Sequence, residues 1–154
     1  MAHHPNECEV CQRLDEIERR EHPGFIAHLP TGAFVLGDSQ QFRGYSLLLC
    51  KTPIADLEDL DWETRLAFLR DVAICSEAVA TVLRPHKMNV ESLGNMVPHL
   101  HFHLFPRQTD ESEPLKPVWV QKDEDAPVLD GERDRKLIEA LRLEVERLKN
   151  ERLG

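Results

Sequence analysis

Three histidines at alternate positions near the middle of the chain are the residues best suited to chemistry. The stretch VPHLHFHLFPR places His99, His101 and His103 at every second position, with apolar residues between them. In a β-strand, alternate side chains point to the same face and lie roughly 6.5 to 7 Å apart along the strand. The pattern therefore predicts three imidazoles on one face of a strand, with the apolar side chains between them facing a core.

Three uses of such a face compete. An ordinary solvated sheet face would not require an uncommon residue three times at strict alternation. A metal site is disfavoured by distance, because the Cβ atoms of His99 and His103 would lie roughly 13 Å apart on a regular strand. Nucleophilic attack on a phosphate fits best, since a neutral imidazole keeps one nitrogen lone pair and flanking imidazoles can donate to phosphate oxygens. The middle residue, His101, is the predicted nucleophile, and water would hydrolyse the resulting phosphohistidine without a metal.

The sequence on both sides of the histidines predicts strands and helices in unequal alternation. This pattern indicates an α+β domain with a mainly antiparallel sheet and a long central helix. Asp61 is the predicted N-cap of the central helix, and Pro85 ends that helix. A short, highly charged helix is predicted before the strands, in CEVCQRLDEIERREH. The predicted strands, of which the first two form a hairpin, are GFIAHL, GAFVLG, GYSLLLCK, KMNVESLG and HLHFHLFP.

The last part of the chain predicts an irregular surface segment followed by an amphipathic helix. We divide the chain into a single domain over residues 1–129, which includes the irregular segment, and an extra C-terminal helix over residues 130–154. This helix packs either on its own domain or on a second subunit. Its apolar stripe consists of Leu137, Leu141, Val145 and Leu148.

The composition narrows the classes of function. With 154 residues, of which 41% are hydrophobic and 31% charged, the chain is typical of one soluble globular domain. The formal net charge of −9 argues against a nucleic acid polymer or an anionic membrane as the partner, but not against a small anionic ligand. No apolar run has the length of a membrane span or the form of a secretory signal, so we expect a cytoplasmic protein.

The residues around the histidines resemble the histidine triad family of nucleotide hydrolases and transferases. The family pattern is His, apolar, His, apolar, His and two apolar residues, and it runs here from His99 to Phe105. The wider stretch LGNMVPHLHFHLFPR, with FRGYSLLLCK upstream and PVW downstream, is similar to the bacterial branch described as diadenosine tetraphosphate hydrolase-like. This resemblance covers most of residues 8–119. It implies a homodimer whose protomers join their sheets, and nucleotidyl transfer to His101.

The resemblance also implies substrate contacts. Asn95 stands where the family places an amide that contacts phosphates, although its GN dipeptide is also typical of a turn. Asp38 lies near the ribose-contacting position, or serves only as a turn residue. Arg107 follows the last strand and faces either phosphate or solvent. Trp119 either stacks on a base or anchors the irregular segment.

A Cys-x-x-Cys pair near the N-terminus, Cys8 and Cys11, is half of a zinc site. Some members of the family complete this site with a histidine shortly after the upstream strand and with the first histidine of the triad. Thr52 and Pro53 occupy the place of the former histidine here, so we expect thiols packed without a metal and no required cofactor. The alternative zinc site would consist of Cys8, Cys11 and His99 with a ligand such as His3 or His4.

Together these features predict a homodimeric enzyme that cleaves a phosphoanhydride or phosphoramidate bond at the α-phosphate of a nucleotide. His101 attacks, His99 and His103 orient and neutralise the phosphate, and water releases a nucleoside monophosphate. The leading substrate is diadenosine tetraphosphate or a related adenosine nucleotide. Three alternatives remain: a phosphoramidate hydrolase, a nucleotide-binding regulator with little turnover, and a zinc-binding structural module.

Overall fold

A five-stranded antiparallel sheet lies at the centre of the computed structural model, which describes residues 5–154. The strand order is β1-β2-β3-β5-β4, and three helices cover the sheet. This confirms the predicted α+β class with a long central helix and an extra C-terminal helix. The strands are β1 (Phe25–Leu29), β2 (Gly32–Leu36), β3 (Ser46–Cys50), β4 (Lys87–Glu91) and β5 (His101–Arg107), and the helices are α1 (Glu9–Glu18), α2 (Trp62–Leu83) and α3 (Arg135–Leu153).

The central helix α2 has the predicted ends. The Asp61 carboxylate accepts a hydrogen bond from the Thr64 backbone N–H at 3.0 Å, which satisfies one of the donors left open by the first helical turn. At the other end Arg84 adopts a left-handed conformation with φ of 48°, directly before Pro85. The buried side of α2 packs on β5 and β3, in the middle of the sheet.

The two faces of the sheet have different roles. Phe102 of β5 meets Phe68 of α2 edge to face, with ring centroids 5.8 Å apart, so this face forms the main core. On the other face, Leu49 of β3 lies in an apolar cluster with Val10 of α1. Leu49 is also the register partner of His101, and paired residues of an antiparallel ladder share a face. The histidines of β5 therefore lie on the face that α1 covers.

Strand β5 begins two residues later than the pattern predicted. The His99 backbone N–H donates to the Val97 carbonyl at 2.8 Å, and the Leu100 N–H donates to the Ile54 carbonyl at 2.7 Å. The Leu100 carbonyl still accepts from the Cys50 N–H of β3 at 3.0 Å, but the two N–H groups donate to the loops, and the regular ladder starts at His101. His99 consequently lies in the loop that leads into β5, and its ring does not continue the spacing of a regular strand.

The C-terminal helix α3 packs on β1 and α2 of the same chain. Its apolar stripe is buried in the main core. In addition, the Arg142 guanidinium donates to the Ile26 carbonyl at 2.7 Å and to the Phe25 carbonyl at 3.1 Å, which attaches the helix to the edge strand. No helix within residues 5–154 is long and apolar enough to cross a membrane.

Candidate active site

His101 and His103 form a directly hydrogen-bonded pair on β5. Their Nε2 atoms lie 3.1 Å apart, and both side chains are buried. The Nδ1 atom of His101 lies 2.6 Å from the His99 carbonyl oxygen, which can only accept, so this nitrogen carries the proton. The neutral ring of His101 then keeps its lone pair on Nε2. The backbone geometry of the loop thus favours an unprotonated Nε2 on the middle histidine, as nucleophilic attack requires.

The second ring of the pair, His103, is held neutral. Burial, with a smaller contribution from His101, lowers the pKa of His103 to about 4. At neutral pH the ring is therefore uncharged and carries a single ring proton, which it can share with an acceptor. A hydrogen-bond donor next to the nucleophile is what a developing phosphate charge requires.

A cavity of about 200 Å³ opens beside the pair, between α1 and strands β3 and β5. This volume is below the roughly 300 to 1,000 Å³ of typical small-molecule sites. The cavity has room for a phosphate group, and a larger ligand would extend out of it. Its polar lining is formed by Glu9, Arg13, Asp38, Ser39, Tyr45, His101 and His103.

Arg13 is the cation of this cavity, and the sequence analysis did not single it out. Its guanidinium binds both carboxylate oxygens of Asp38, at 2.7 and 2.5 Å. This bidentate hydrogen bond lowers the pKa of Asp38 below its usual value. Arg13 is one of many charged residues in α1, and only the packing of α1 over the sheet places it at the cavity. Asp38, which the sequence analysis did select, lies at the same cavity.

Two other predicted substrate contacts lie elsewhere. Asn95 is exposed in the loop between β4 and β5, outside the lining of the cavity. Arg107 is buried, and its guanidinium donates to the Glu111 carboxylate and the Asn89 side chain, each at 2.9 Å, while lying over the Phe42 ring. The structure does not bring Arg107 to His101, because these contacts hold its guanidinium against the irregular segment that follows β5.

Two aromatic residues that contact His103 complete the site. The Trp119 indole donates to the Glu91 carboxylate at 2.5 Å, and its ring meets the His103 ring edge to face at 5.0 Å. The Tyr45 hydroxyl lies 2.7 Å from His103 Nδ1. The sequence offered no signal for Tyr45, since its contact with His103 depends on the pairing of β3 with β5.

A second cluster lies directly behind the nucleophile. The Nδ1 atom of His99 is 3.4 Å from Cys8 Sγ and 3.5 Å from Cys11 Sγ. Ligand atoms around a tetrahedral zinc ion with Zn–S of about 2.3 Å and Zn–N of about 2.05 Å would be roughly 3.6 Å apart. The His99 Nε2–H donates to the Cys50 carbonyl at 2.7 Å, which leaves the Nδ1 lone pair directed at the sulfurs.

These three residues fit a metal better than the sequence analysis expected, because their ligand atoms lie within 4.8 Å of one another. Burial, and next the hydrogen bond with Cys8, raise the pKa of the Cys11 thiol to about 11, so a bound metal would have to displace its proton. The suggested further ligands His3 and His4 lie outside the described residues.

A scan against protein-family models matches residues 24–110 to the HIT domain. The chain belongs to the HIT (histidine triad) domain family. Members of this family are generally nucleotide hydrolases or transferases. The matched segment contains the sheet, α2 and all three triad histidines, whereas Cys8, Cys11, Arg13 and Trp119 lie outside it. Parts of the candidate site in this HIT protein therefore come from its flanking segments.

Solved structures agree with the family assignment. A histidine triad protein from Bradyrhizobium japonicum is 25% identical, with a TM-score of 0.73, and the match covers 82% of this chain and 94% of that one. A zinc-bound histidine triad family protein from Mycobacterium smegmatis is 21% identical, with a TM-score of 0.65 and coverage of 96% and 99%. Diadenosine triphosphate hydrolase from Plasmodium falciparum is 14% identical, with a TM-score of 0.57 and coverage of 86% and 80%. A search of curated proteins found no match.

Proposed function

We propose that this HIT protein is a nucleotidyl hydrolase or transferase that acts at the α-phosphate of an adenosine nucleotide, with diadenosine tetraphosphate as the leading substrate. The observation that supports this function is the state of His101. Its Nδ1 proton is bound to the His99 carbonyl, and its Nε2 lone pair lies at a small cavity that contains a cation, Arg13. A preorganised nucleophile beside a phosphate-sized space is typical of covalent phosphoryl and nucleotidyl transfer.

The reaction proceeds in two displacements. His101 Nε2 attacks the α-phosphorus, the bond from phosphorus to the leaving group breaks, and a nucleotidyl-histidine forms. The His99 carbonyl accepts the Nδ1 hydrogen bond more strongly as the His101 ring becomes positive, and the His103 N–H donates to a phosphate or leaving-group oxygen. Water then attacks phosphorus, the bond from phosphorus to His101 Nε2 breaks, and a nucleoside monophosphate is released while the water proton passes to solvent. In this mechanism His99 acts through its carbonyl, while its ring serves the cysteine cluster.

The remaining residues divide into binding and support. Asp38 contacts the ribose, and its salt bridge holds Arg13 at the side of the cavity where phosphate charge would accumulate. Asn95 lies outside the cavity, so its proposed contact is with phosphates of the substrate that extend beyond the cavity towards the loop before β5. Arg107 acts at a distance by holding the segment that carries Trp119 against the sheet.

We further propose that Cys8, Cys11 and His99 bind zinc. The ligand set, its spacing and the Cys50 carbonyl behind His99 fit a structural site, with a fourth ligand from water or from a residue outside the described part of the chain. The metal would tie α1 to the loop that orients His101, and it takes no part in bond cleavage. The reduced thiols that such a site needs are kept in the cytoplasm, where we expect the protein to act.

We also propose that the protein is a homodimer. No strand among the described residues pairs with the outer side of β4, and Val90 on this strand is exposed. A second exposed apolar surface lies on α2 and consists of Trp62, Leu66 and Leu69. Open strand edges and contiguous apolar surface are usually covered in native proteins, and a second copy of the chain would cover both.

The test is turnover of diadenosine tetraphosphate without added metal ions, followed by chromatography of the nucleotides. We compare wild-type protein, His101→Ala and, as the matched control, His86→Ala, which removes an exposed histidine next to β4. Wild type and His86→Ala should release nucleoside monophosphate, and His101→Ala should be slower by roughly 10³-fold or more, as expected on loss of a covalent nucleophile.

Two results would overturn the proposal. Equal turnover by His101→Ala would exclude His101 as the nucleophile. No turnover by wild type on either diadenosine tetraphosphate or adenosine phosphoramidate, with nucleotide binding retained in calorimetry, would indicate a regulator instead of an enzyme. Turnover of the phosphoramidate alone would retain the mechanism and replace the substrate.

A further inference from the structure

We propose that Tyr45 is a positioning residue that fixes the ring orientation and the proton of His103, so that an N–H always faces the nucleophile. The effect of Tyr45 on catalysis rests on the proposed function. The geometry that places its hydroxyl against His103 is independent of that function. The hydroxyl of Tyr45 and the two rings of His101 and His103 form one continuous chain of hydrogen bonds, which ends at the His99 carbonyl.

The His99 carbonyl, which can only accept, determines which atom donates in each of these hydrogen bonds. The His99 carbonyl can only accept, so His101 Nδ1 is protonated and the neutral ring has its lone pair on Nε2. The contact of 3.1 Å between the two Nε2 atoms then requires the proton to be on His103. A neutral His103 has no second ring proton, so its Nδ1 accepts from the Tyr45 hydroxyl at 2.7 Å. With both rings neutral, this is the single arrangement that satisfies all three bonds.

The alternative arrangements of His103 are each penalised by a named contact. A proton on His103 Nδ1 would leave the lone pairs of two Nε2 atoms facing each other at 3.1 Å. A half-turn of the imidazole would place a C–H group against the Tyr45 hydroxyl and leave this buried donor without its acceptor. The hydroxyl therefore selects one ring orientation as well as one proton position.

The backbone holds Tyr45 rigidly enough for this task. Its ring stacks on Phe105 with a centroid distance of 4.0 Å and an interplanar angle of 3°. Its carbonyl accepts from the Gly37 N–H at 2.9 Å. The ring also fills the space where a side chain at position 37 would lie, since a Cβ there would be 2.3 Å from the ring. The hydroxyl is thus fixed relative to β5 before any substrate enters.

Tyr45 acts as a donor that keeps its proton. Burial raises the pKa of Tyr45 above its usual value, so transfer of the phenolic proton to His103 is unfavourable. His103 accordingly donates a hydrogen bond to the substrate oxygen without giving up its ring proton. When a phosphate occupies the cavity, the His103 N–H is shared between His101 Nε2 and a phosphate oxygen, and the Tyr45 bond keeps the orientation of the ring.

The matched variants are Tyr45→Phe and Ser46→Ala. The first removes the hydroxyl and keeps the ring that stacks on Phe105. The second removes the hydroxyl of the neighbouring residue, which is buried, has no hydrogen-bond partner in the described part of the chain and pairs with Leu104 on the opposite face of the sheet. A general effect of losing a buried hydroxyl would change the behaviour of both variants. Loss of the hydrogen bond from the Tyr45 hydroxyl to His103 would change only Tyr45→Phe.

The direct readout is the ¹⁵N NMR spectrum of the histidine ring nitrogens without nucleotide, with the His103 signals assigned from His103→Gln. In wild type and Ser46→Ala, His103 should show a protonated Nε2 and an unprotonated, hydrogen-bonded Nδ1. In Tyr45→Phe, the Nδ1 signal should shift towards that of a lone pair without a donor, and the two nitrogens should exchange or average. A protonated Nδ1 in wild type, or identical spectra for wild type and Tyr45→Phe, would overturn the proposal.

Turnover separates this inference from the proposed function. With diadenosine tetraphosphate, kcat of Tyr45→Phe should fall about threefold to tenfold, as expected for one lost hydrogen bond between neutral groups, while KM stays within about twofold. An unchanged kcat would overturn the catalytic consequence. If wild type shows no turnover at all, the proposed function fails, and the ring spectra still decide whether Tyr45 fixes the proton of His103.

Discussion

At the scale of single residues, His99 serves two sites through different atoms. Its backbone carbonyl accepts the Nδ1 proton of His101, and its ring Nδ1 faces the sulfurs of Cys8 and Cys11. The first contact orients the ring of the proposed nucleophile, and the second attaches the N-terminal helix to the loop before β5. His99 therefore connects the cysteine cluster to His101.

The zinc proposal gives the prediction at this scale. Wild-type protein should contain about one zinc per chain, and Cys8→Ser combined with Cys11→Ser should reduce this to near zero, because hydroxyl groups are poor zinc ligands. Cys75→Ala, which removes a buried thiol of α2, should keep its zinc. Elemental analysis by mass spectrometry gives the zinc content of each protein. If wild-type protein contained no zinc, the cysteines would be packed thiols without a metal. If the double variant retained zinc, the ion would be bound elsewhere.

At the scale of elements, helix α3 is integral to the fold, although it lies outside the segment matched by the family model. Leu141 is 0% exposed in the main core, while Leu143, two residues further along the helix, is 74% exposed. The same residue type thus occurs on both faces of one helix. This provides a test of packing that keeps the helix propensity of the substitution constant.

We expect Leu141→Ala to lower the free energy of unfolding by about 2 to 5 kcal/mol, because it removes buried contacts and leaves a cavity. Leu143→Ala should change it by about 0.5 kcal/mol or less, as is usual at an exposed position. Denaturant unfolding followed by circular dichroism measures both values. Similar small losses in the two variants would mean that α3 contributes little to the stability of the sheet.

At the scale of the whole molecule, the proposed dimer accounts for apolar surface that the single chain leaves open. Leu66 on α2 is 44% exposed, next to Trp62 at 62%. Val128, in the irregular segment after β5, is 69% exposed and pairs with Ser39 after β2, on the side of the sheet away from β4. An interface would be disrupted by a charge at the first position and not at the second.

We therefore expect wild type and Val128→Glu to have twice the mass of the chain in light scattering after size-exclusion chromatography. Leu66→Glu should shift the protein towards the monomer at micromolar concentration. A monomeric wild type would contradict the homodimer, and a fully dimeric Leu66→Glu would place the interface on another surface.

The sequence by itself determined the elements and the chemical type of the centre. Apolar periodicity located the sheet strands and the helices, and Asp61 and Pro85 marked the ends of α2, because such signals act between residues close in the chain. The triad spacing likewise identified His101 as the candidate nucleophile. These features depend on local backbone geometry, which neighbouring residues largely set.

Only the tertiary structure decided which side chains complete the site. Tyr45 and His103 are 58 residues apart, Arg13 and Asp38 are 25 apart, and Cys8 and His99 are 91 apart. Arg107, in contrast, was adjacent to the motif and is directed into other contacts. Strand register and helix packing determine such pairs, and both result from burying apolar surface over the whole chain. A local sequence pattern does not show which distant segments bury their apolar surface together. These contacts therefore could not be predicted from the residues that make them.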